Sequence, residues 1–339
     1  MTRRAKELAF VILSLPLLVL VGGWIWQQYS TARDTRLQPP PGQMIDIGGY
    51  RLHLVCAGTG TPIVVMDAGL GDSWMTWSKT QPEIARRTTA CSYDRAGYAY
   101  SDAGPWPRDS KQIVAELHAL LSAAKLPPPY ILVGHSFGGY NTRLFTSTYP
   151  AEVAGLVLVE ASHEDQVQRF PSGMRRLFDG YVDQMRWATW RARFGFERVR
   201  RQPAYDGPGV QPDQRIYADA VGYRTAWYHA IQGEMESFLA ASAREVRDSR
   251  RPLTIPLVVI TGNTHMAEEL HASGLSQPDA DSALAAWRHM QDDEATLSTS
   301  SHHVIAAHST HYVNMDQPDL VIGAVDTVLA EIHNTPTSK

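Results

Sequence analysis

The stretch Tyr130-Ile-Leu-Val-Gly-His-Ser-Phe-Gly-Gly139 constrains the fold of this chain more than any other. A short apolar run ends in Gly134-His135-Ser136-Phe137-Gly138, and a helix-compatible segment, 140–148, follows it. Strand, tight turn and helix in that order are the setting in which Gly-x-Ser-x-Gly forms a nucleophile elbow. The turn holds its serine in strained backbone geometry. Glycines two before and two after are needed because a side chain at either place collides with the neighbouring strand or helix. Such a turn lifts the Ser136 hydroxyl above the N-terminus of the following helix, where backbone N–H groups stabilise an oxyanion.

Around this motif the chain alternates between two patterns. Strand-like runs fall at 43–47, 51–57, 63–67, 90–93, 130–134, 155–159, 257–261 and 302–306. Several are continuously apolar, as strands buried on both faces must be. Helix-period segments lie between them; 110–124 places Ile113, Leu117, Leu120 and Leu121 on one face. Alternation of this kind predicts a mostly parallel sheet with crossovers, and ligands bind beyond the carboxyl ends of such strands, where Ser136 sits. Residues from about 163 to 251 break the pattern. They are helical in period, interrupted by Pro203, Pro208, Gly209 and Pro212, and rich in rings: Trp187, Trp190, Phe194, Phe196, Tyr217, Tyr223, Trp227, Tyr228 and Phe238. A helical cap inserted over the site is expected, with an apolar, water-poor pocket beneath it. Most of the rings are expected to pack that cap onto the core.

The order of these elements over 44–332 resembles the α/β-hydrolase family. The resemblance implies an α/β fold, a mostly parallel eight-stranded sheet with helices on both faces, in a domain 37–339 carrying the helical cap at about 163–251. Ile63-Val-Val-Met-Asp-Ala-Gly-Leu-Gly71 resembles the third strand and the loop that supplies half of an oxyanion hole. Ala68-Gly69 stands where the family more often has His-Gly, but the contribution is a backbone N–H, which assigns Leu70, with Phe137 as the second donor. Cys91-Ser-Tyr-Asp-Arg-Ala-Gly-Tyr-Ala-Tyr-Ser-Asp102 matches the family's D-R-x-G-x-G-x-S-D stretch, with Ala99 replacing the second glycine. It implies structural roles for Asp94 and Arg95.

A serine hydroxyl is a poor nucleophile until a base takes its proton, so a histidine must follow, with a carboxylate to orient it. The chain order in this fold is nucleophile, acid, histidine. Among 13 histidines, the frame Ser309-Thr-His-Tyr-Val-Asn-Met-Asp-Gln-Pro-Asp-Leu-Val-Ile322 resembles the family's histidine loop and selects His311, with His308 in reserve. His302 and His303 fall on the preceding strand, and His135 reads as a support residue. His163, His229, His265, His271 and His289 have no motif around them. The acid is less directly marked. Most relatives carry it after the seventh strand, where this chain has Asn263, which supplies no charge to stabilise imidazolium. Some, including a subset of haloalkane dehalogenases, place it at the end of the sixth strand, where Leu156-Val-Leu-Val-Glu160 ends in a carboxylate. A glutamate closing an apolar strand needs a partner, because a lone buried carboxylate is costly. Glu160 is therefore the expected acid, with Asp165 and Glu268 as alternatives.

The elbow residue separates reaction classes. Dehalogenases and epoxide hydrolases need an aspartate nucleophile, so Ser136 points to acyl transfer, with a small apolar ester as substrate. The same serine also suits lactonase, amidase, acyltransferase or C–C hydrolase chemistry, or a ligand-binding protein on the same fold. No metal-ligand spacing or dinucleotide motif is present, so no cofactor is expected. A net charge of −4 argues against a nucleic-acid partner. The basic run 191–201 reads as a solvated helix face.

The N-terminus differs in kind. Arg3, Arg4 and Lys6 precede 9–26, which is uncharged and almost wholly apolar. About 18–20 such residues cross a bilayer as a helix, and Trp24, Trp26 and Tyr29 resemble an interfacial aromatic belt. Residues 1–36 are expected to be a membrane anchor, or a cleaved signal with Ser30-Thr-Ala32 as a weak processing site. Either way the positive-inside rule puts the catalytic domain outside the cytoplasm. Gln38-Pro-Pro-Pro-Gly42 then reads as a stiff juncture. The family's sheet order sets the second strand antiparallel beside the fourth, which implies that Cys56 and Cys91 face each other. In an oxidising compartment they would form a disulfide; otherwise they are two buried thiols.

Overall fold

Eight strands pair in the order β1-β2-β4-β3-β5-β6-β7-β8. They are β1 (Gln43–Asp46), β2 (Arg51–Ala57), β3 (Ile63–Asp67), β4 (Ala90–Tyr93), β5 (Tyr130–His135), β6 (Val153–Val159), β7 (Leu257–Thr261) and β8 (Ser301–Ile305). This computed structural model describes residues 3–205, 210–262 and 265–334, with side chains from residue 14 onward. Pro208, Gly209 and Asn263, weighed above, lie outside the described residues. From β4 to β8 every pairing is parallel, and β2 runs against both of its neighbours. Two strands differ from expectation at their starts. β6 opens at Val153, through a register shift beside Tyr130 that the sequence pattern does not show, and β8 opens at Ser301.

The central strands form because their side chains are mostly apolar, with polar groups such as Asp67 and His135 falling at the carboxyl ends. Every residue of β3, β4, β5 and β7 is buried. One face of the sheet packs Leu52, Val65, Leu132, Leu156 and Val259 against helices Ser110–Ala123 and Phe137–Thr148. The other packs Val64, Met66, Val133, Val157 and Ile260 against helix Pro318–Asn334. Ser110–Ala123 starts where the Asp109 side chain accepts from Gln112 N–H, and it buries Ile113, Leu117, Leu120 and Leu121. An N-cap of that kind satisfies one of the donors a helix start leaves over.

Among the described residues between β6 and β7 there is no strand. Helices Ser172–Arg193, Phe196–Arg200, Arg215–Val221 and Thr225–Ser237 dominate this insertion. Trp227, Tyr228 and Phe238 are buried, whereas Trp187 and Trp190 are exposed. The N-terminal helix Arg3–Leu37 lies along the insertion, burying Gln27 and Ser30. Its contact corrects the reading of 191–201 as a solvated face: Arg198 turns inward, 10% exposed, and bonds Asp34, Gln27 and Thr31. The expected span 9–26 begins in 1–13, whose side chains lie outside the described residues. Among the described residues no helix is long and apolar enough to cross a membrane.

Cys56 and Cys91 are opposite one another in the β2–β4 register and are joined in a disulfide. Closing a loop of this size stabilises a fold by about 2–4 kcal/mol. The double variant Cys56→Ala, Cys91→Ala should lose stability of that order in urea unfolding, and dithiothreitol should lower the midpoint of the wild type but not of the variant.

Candidate active site

The site grows from close approach at the end of β5. A Cβ on Gly138 would lie 2.2 Å from the Asp67 carbonyl oxygen, and one on Gly134 would lie 2.4 Å from Thr142 Oγ1. Both distances are impossible for real side chains, so the turn can be this tight only with glycine at each place. Ser136 between them has φ 52° and ψ −119°, a conformation non-glycine residues rarely adopt. Its N–H donates to the Val159 carbonyl on β6, and its carbonyl accepts from Gly139 and Ser162 N–H. Phe137 opens the next helix, so its N–H is among those a helix leaves without an intrahelical partner.

At the end of the neighbouring strand Glu160 also has positive φ, 46°, and is fully buried. Its carboxylate accepts from Gly262 N–H at 2.6 Å and from the Trp287 indole at 3.2 Å, and stands 3.3 Å from His311 Nδ1. With Nδ1 turned to a carboxylate, Nε2 is the ring atom left to take a proton. The His311 carbonyl is 2.8 Å from His135 Nε2, which brings the histidine loop against the residue preceding Ser136. The His135 and His311 rings are 4.9 Å apart. The other candidates go elsewhere. Asp165 pairs with Arg247 at 2.8 Å, Glu268 with His265 at the surface, and His308 is exposed, with its backbone N–H on Gln317.

The loop after β3 carrying Leu70 is held from beneath by one guanidinium. Arg95 uses its whole donor set: Nε and Nη2 on the Glu234 carboxylate, Nη1 on Asp67 and the Ala68 carbonyl, Nη2 also on the Gly69 carbonyl, all between 2.7 and 2.9 Å. Tyr98 donates to the same glutamate and accepts from Gly71 N–H at 3.1 Å. Burial, then the charge of Glu234, holds the Tyr98 phenol well above its usual pKa against the pull of Arg95, so it stays a neutral donor. Asp67 is pushed up by burial, against the pull of Arg95. Asp94, as the motif implied, is structural: it holds His53 Nδ1 at 2.7 Å and Trp74 N–H at 3.0 Å.

Sequence reasoning missed Glu234, Trp287, Asp72 and Tyr312. Tyr312 donates to the buried Asp72 at 3.4 Å, and that carboxylate raises its pKa. Asp72 also stands 3.6 Å from His135 Nδ1. A cavity of about 550 Å³ opens here, bordered by Leu70, Asp72 and Tyr312 on the core side and by Tyr181, Met185 and Tyr228 of the insertion. No group of ligating side chains suited to a metal is found among the described residues.

A strained serine at the end of β5, on an eight-stranded sheet of this order, defines the α/β-hydrolase fold. The family model for the alpha/beta hydrolase fold matches residues 61–185. An epoxide hydrolase from Vigna radiata superposes with TM-score 0.60 at 17% identity, covering 86% of this chain and 98% of that one. A bromoperoxidase from Bacillus anthracis gives 0.57 at 19% identity, covering 86% and 100%. In sequence, the chain is 30% identical over 130 residues to 2-hydroxy-6-oxo-2,4-heptadienoate hydrolase of Pseudomonas putida, 38% of this chain and 47% of that one. It is 25% identical over 178 residues to the uncharacterized protein YbdG of Bacillus subtilis, 51% of this chain. The matched stretch spans 55% of YbdG's length.

Removing Glu234 takes one of the two carboxylate partners from the buried Arg95 and leaves its Nε without an acceptor, and breaking a buried ion pair costs about 3–5 kcal/mol. Glu234→Ala should therefore destabilise the protein by about 3 kcal/mol or more in urea unfolding, and Glu234→Gln by less, since the amide oxygen still accepts. Wild-type stability in the alanine variant would show that Arg95 does not depend on the insertion.

Proposed function

We propose that this protein is a serine hydrolase of carboxylic esters, with Ser136 as nucleophile, His311 as base and Glu160 as the acid that orients it. The contact of His311 Nδ1 with the buried Glu160, beside the strained Ser136 elbow, is the observation that carries this reading. His311 Nε2 accepts the Ser136 proton as Oγ attacks the acyl carbonyl. The N–H groups of Leu70 and Phe137 hold the oxyanion. The protonated ring then gives its proton to the departing alcohol, and water, activated by the same ring, clears the acyl-enzyme. Glu160 holds the ring through Nδ1 and stabilises the imidazolium. Serine at the elbow sets the chain apart from the aspartate alkyl-ester chemistry considered above.

The insertion acts as a cap whose underside walls the cavity, which favours an apolar acyl chain. The likeness to the Pseudomonas putida hydrolase favours a second reading, C–C bond hydrolysis by the same serine. Residues 1–36 serve as a membrane anchor with the catalytic domain outside the cytoplasm. Support comes from Arg3, Arg4 and Lys6 ahead of an uncharged run and from a disulfide suited to an oxidising compartment.

Ser136→Ala should abolish both p-nitrophenyl ester turnover and fluorophosphonate labelling. Persistence of either in that variant overturns the assignment. Glu160→Gln should lower kcat by about 10³–10⁴-fold with little change in KM, as removal of the orienting charge does in serine hydrolases. A purely structural Glu160 would instead lower the melting temperature and leave kcat of the folded fraction intact.

A further inference from the structure

We propose that the insertion rests on the bilayer surface beside the N-terminal helix, its Trp187–Trp190 ridge in the lipid interface, so that esters dissolved in the membrane enter the cavity from lipid. The proposal rests on the ester-hydrolase reading for its substrate, and on the following geometry for its surface.

Leu15, Leu17, Leu18, Val19 and Val21 are each between 48% and 66% exposed on the N-terminal helix. At about 100° per residue these positions spread over about 200° of the helix circumference. An apolar face that wide is stable only against a protein core or lipid, and these side chains are exposed rather than covered by the described core. Nothing charged interrupts the sequence from 9 to 26. Lipid is the occupant this composition fits.

The helix cannot swing away from the insertion. A Cβ on Gly23 would lie 2.5 Å from the Phe194 carbonyl, and one on Gly195 would lie 2.7 Å from the Trp26 ring. Gln27 donates to the Tyr223 carbonyl at 2.6 Å, and Arg198 bonds Gln27, Thr31 and Asp34. The point where the apolar helix leaves lipid is thereby fixed against Phe194 and Gly195. From Phe194 a run of rings leads outward: Trp190 at 5.3 Å and Trp187 at 6.2 Å beyond it. Trp187 is 63% and Trp190 44% exposed. Arg193, Arg200 and Arg201 are exposed alongside. Exposed indoles beside guanidinium groups suit the headgroup region of an anionic bilayer.

Both tryptophans lie on helix Ser172–Arg193, whose Tyr181, Gln184, Met185, Ala188 and Arg191 line the cavity. One helix thus faces lipid on one side and the cavity on the other. A membrane-dissolved acyl chain needs to pass only that helix to reach the oxyanion loop.

The test uses the full chain in phosphatidylcholine–phosphatidylglycerol vesicles. Two esters are compared, p-nitrophenyl palmitate dissolved in the bilayer and p-nitrophenyl acetate in water. Trp187→Glu with Trp190→Glu should lower the palmitate rate by about tenfold or more, since two interfacial rings are replaced by carboxylates that an anionic bilayer repels, and leave acetate turnover unchanged. Brominated lipid should quench wild-type tryptophan fluorescence more than that of the Trp187→Phe, Trp190→Phe variant. Equal rates on palmitate, equal loss on both esters, or no difference in quenching overturns the proposal, as does cross-linking that places Trp187 at a dimer interface. Failure of the ester reading is separable: it would appear as no acetate turnover and no Ser136 labelling, while the quenching comparison still reports on the lipid contact.

Discussion

A buried guanidinium with every N–H group occupied cannot shift without leaving donors stranded in a low-dielectric interior, where each costs about 1–3 kcal/mol. Arg95 is in that position. It binds two successive carbonyls of the loop after β3, the carboxylate that ends β3, and the insertion's Glu234. The backbone that presents Leu70 N–H is therefore set by a bond network whose far end belongs to another part of the chain. Fixed dipoles of this kind are what stabilise developing charge without reorganisation. The loop and the helix above it behave as one unit, and the cavity between them has a defined shape because of it.

Two adjacent strands end in the same unusual way. Ser136 after β5 and Glu160 after β6 both hold positive φ, and neither is glycine. Such residues cost about 1–3 kcal/mol each and persist only where the surroundings over-determine them. Here the surroundings are visible: Ser136 N–H on Val159, Glu160 N–H on Ile260, and the Ser136 carbonyl taking two N–H groups. Ladder bonds of the sheet continue past the strand ends and pin both bends. Both bends follow the carboxyl ends of paired parallel strands, which brings Ser136 and Glu160 to the same end of the sheet.

Most of the fold was legible because strands buried on both faces have a composition nothing else in the chain shares. Ile63-Val-Val-Met66 and Leu156-Val-Leu-Val159 leave no alternative to burial. The start of β6 was not legible, since the register shift beside Tyr130 is a property of two strands together. At the site, Ser136 and His311 stand in local motifs, and Glu160 is marked by the cost of a carboxylate at the end of an apolar run. Glu234 and Trp287 carry no such mark. Each reaches its partner from more than a hundred residues away, on a helix whose spacing speaks only of packing. Arg198 was misread for the same reason: in sequence it is one of several arginines, and only its tertiary neighbours turn it inward.

The Cys56–Cys91 bridge has a mechanical meaning as well. The N-terminal helix enters the domain through Pro39-Pro40-Pro41 and then the β1–β2 hairpin, which is the outermost part of the sheet. An edge hairpin held only by its ladder would peel strand by strand under tension. The covalent path from the leading helix runs through β1 and β2 to Cys56 and there crosses to β4, so even a hairpin pulled loose by a tug on that helix stays tethered to the interior of the sheet.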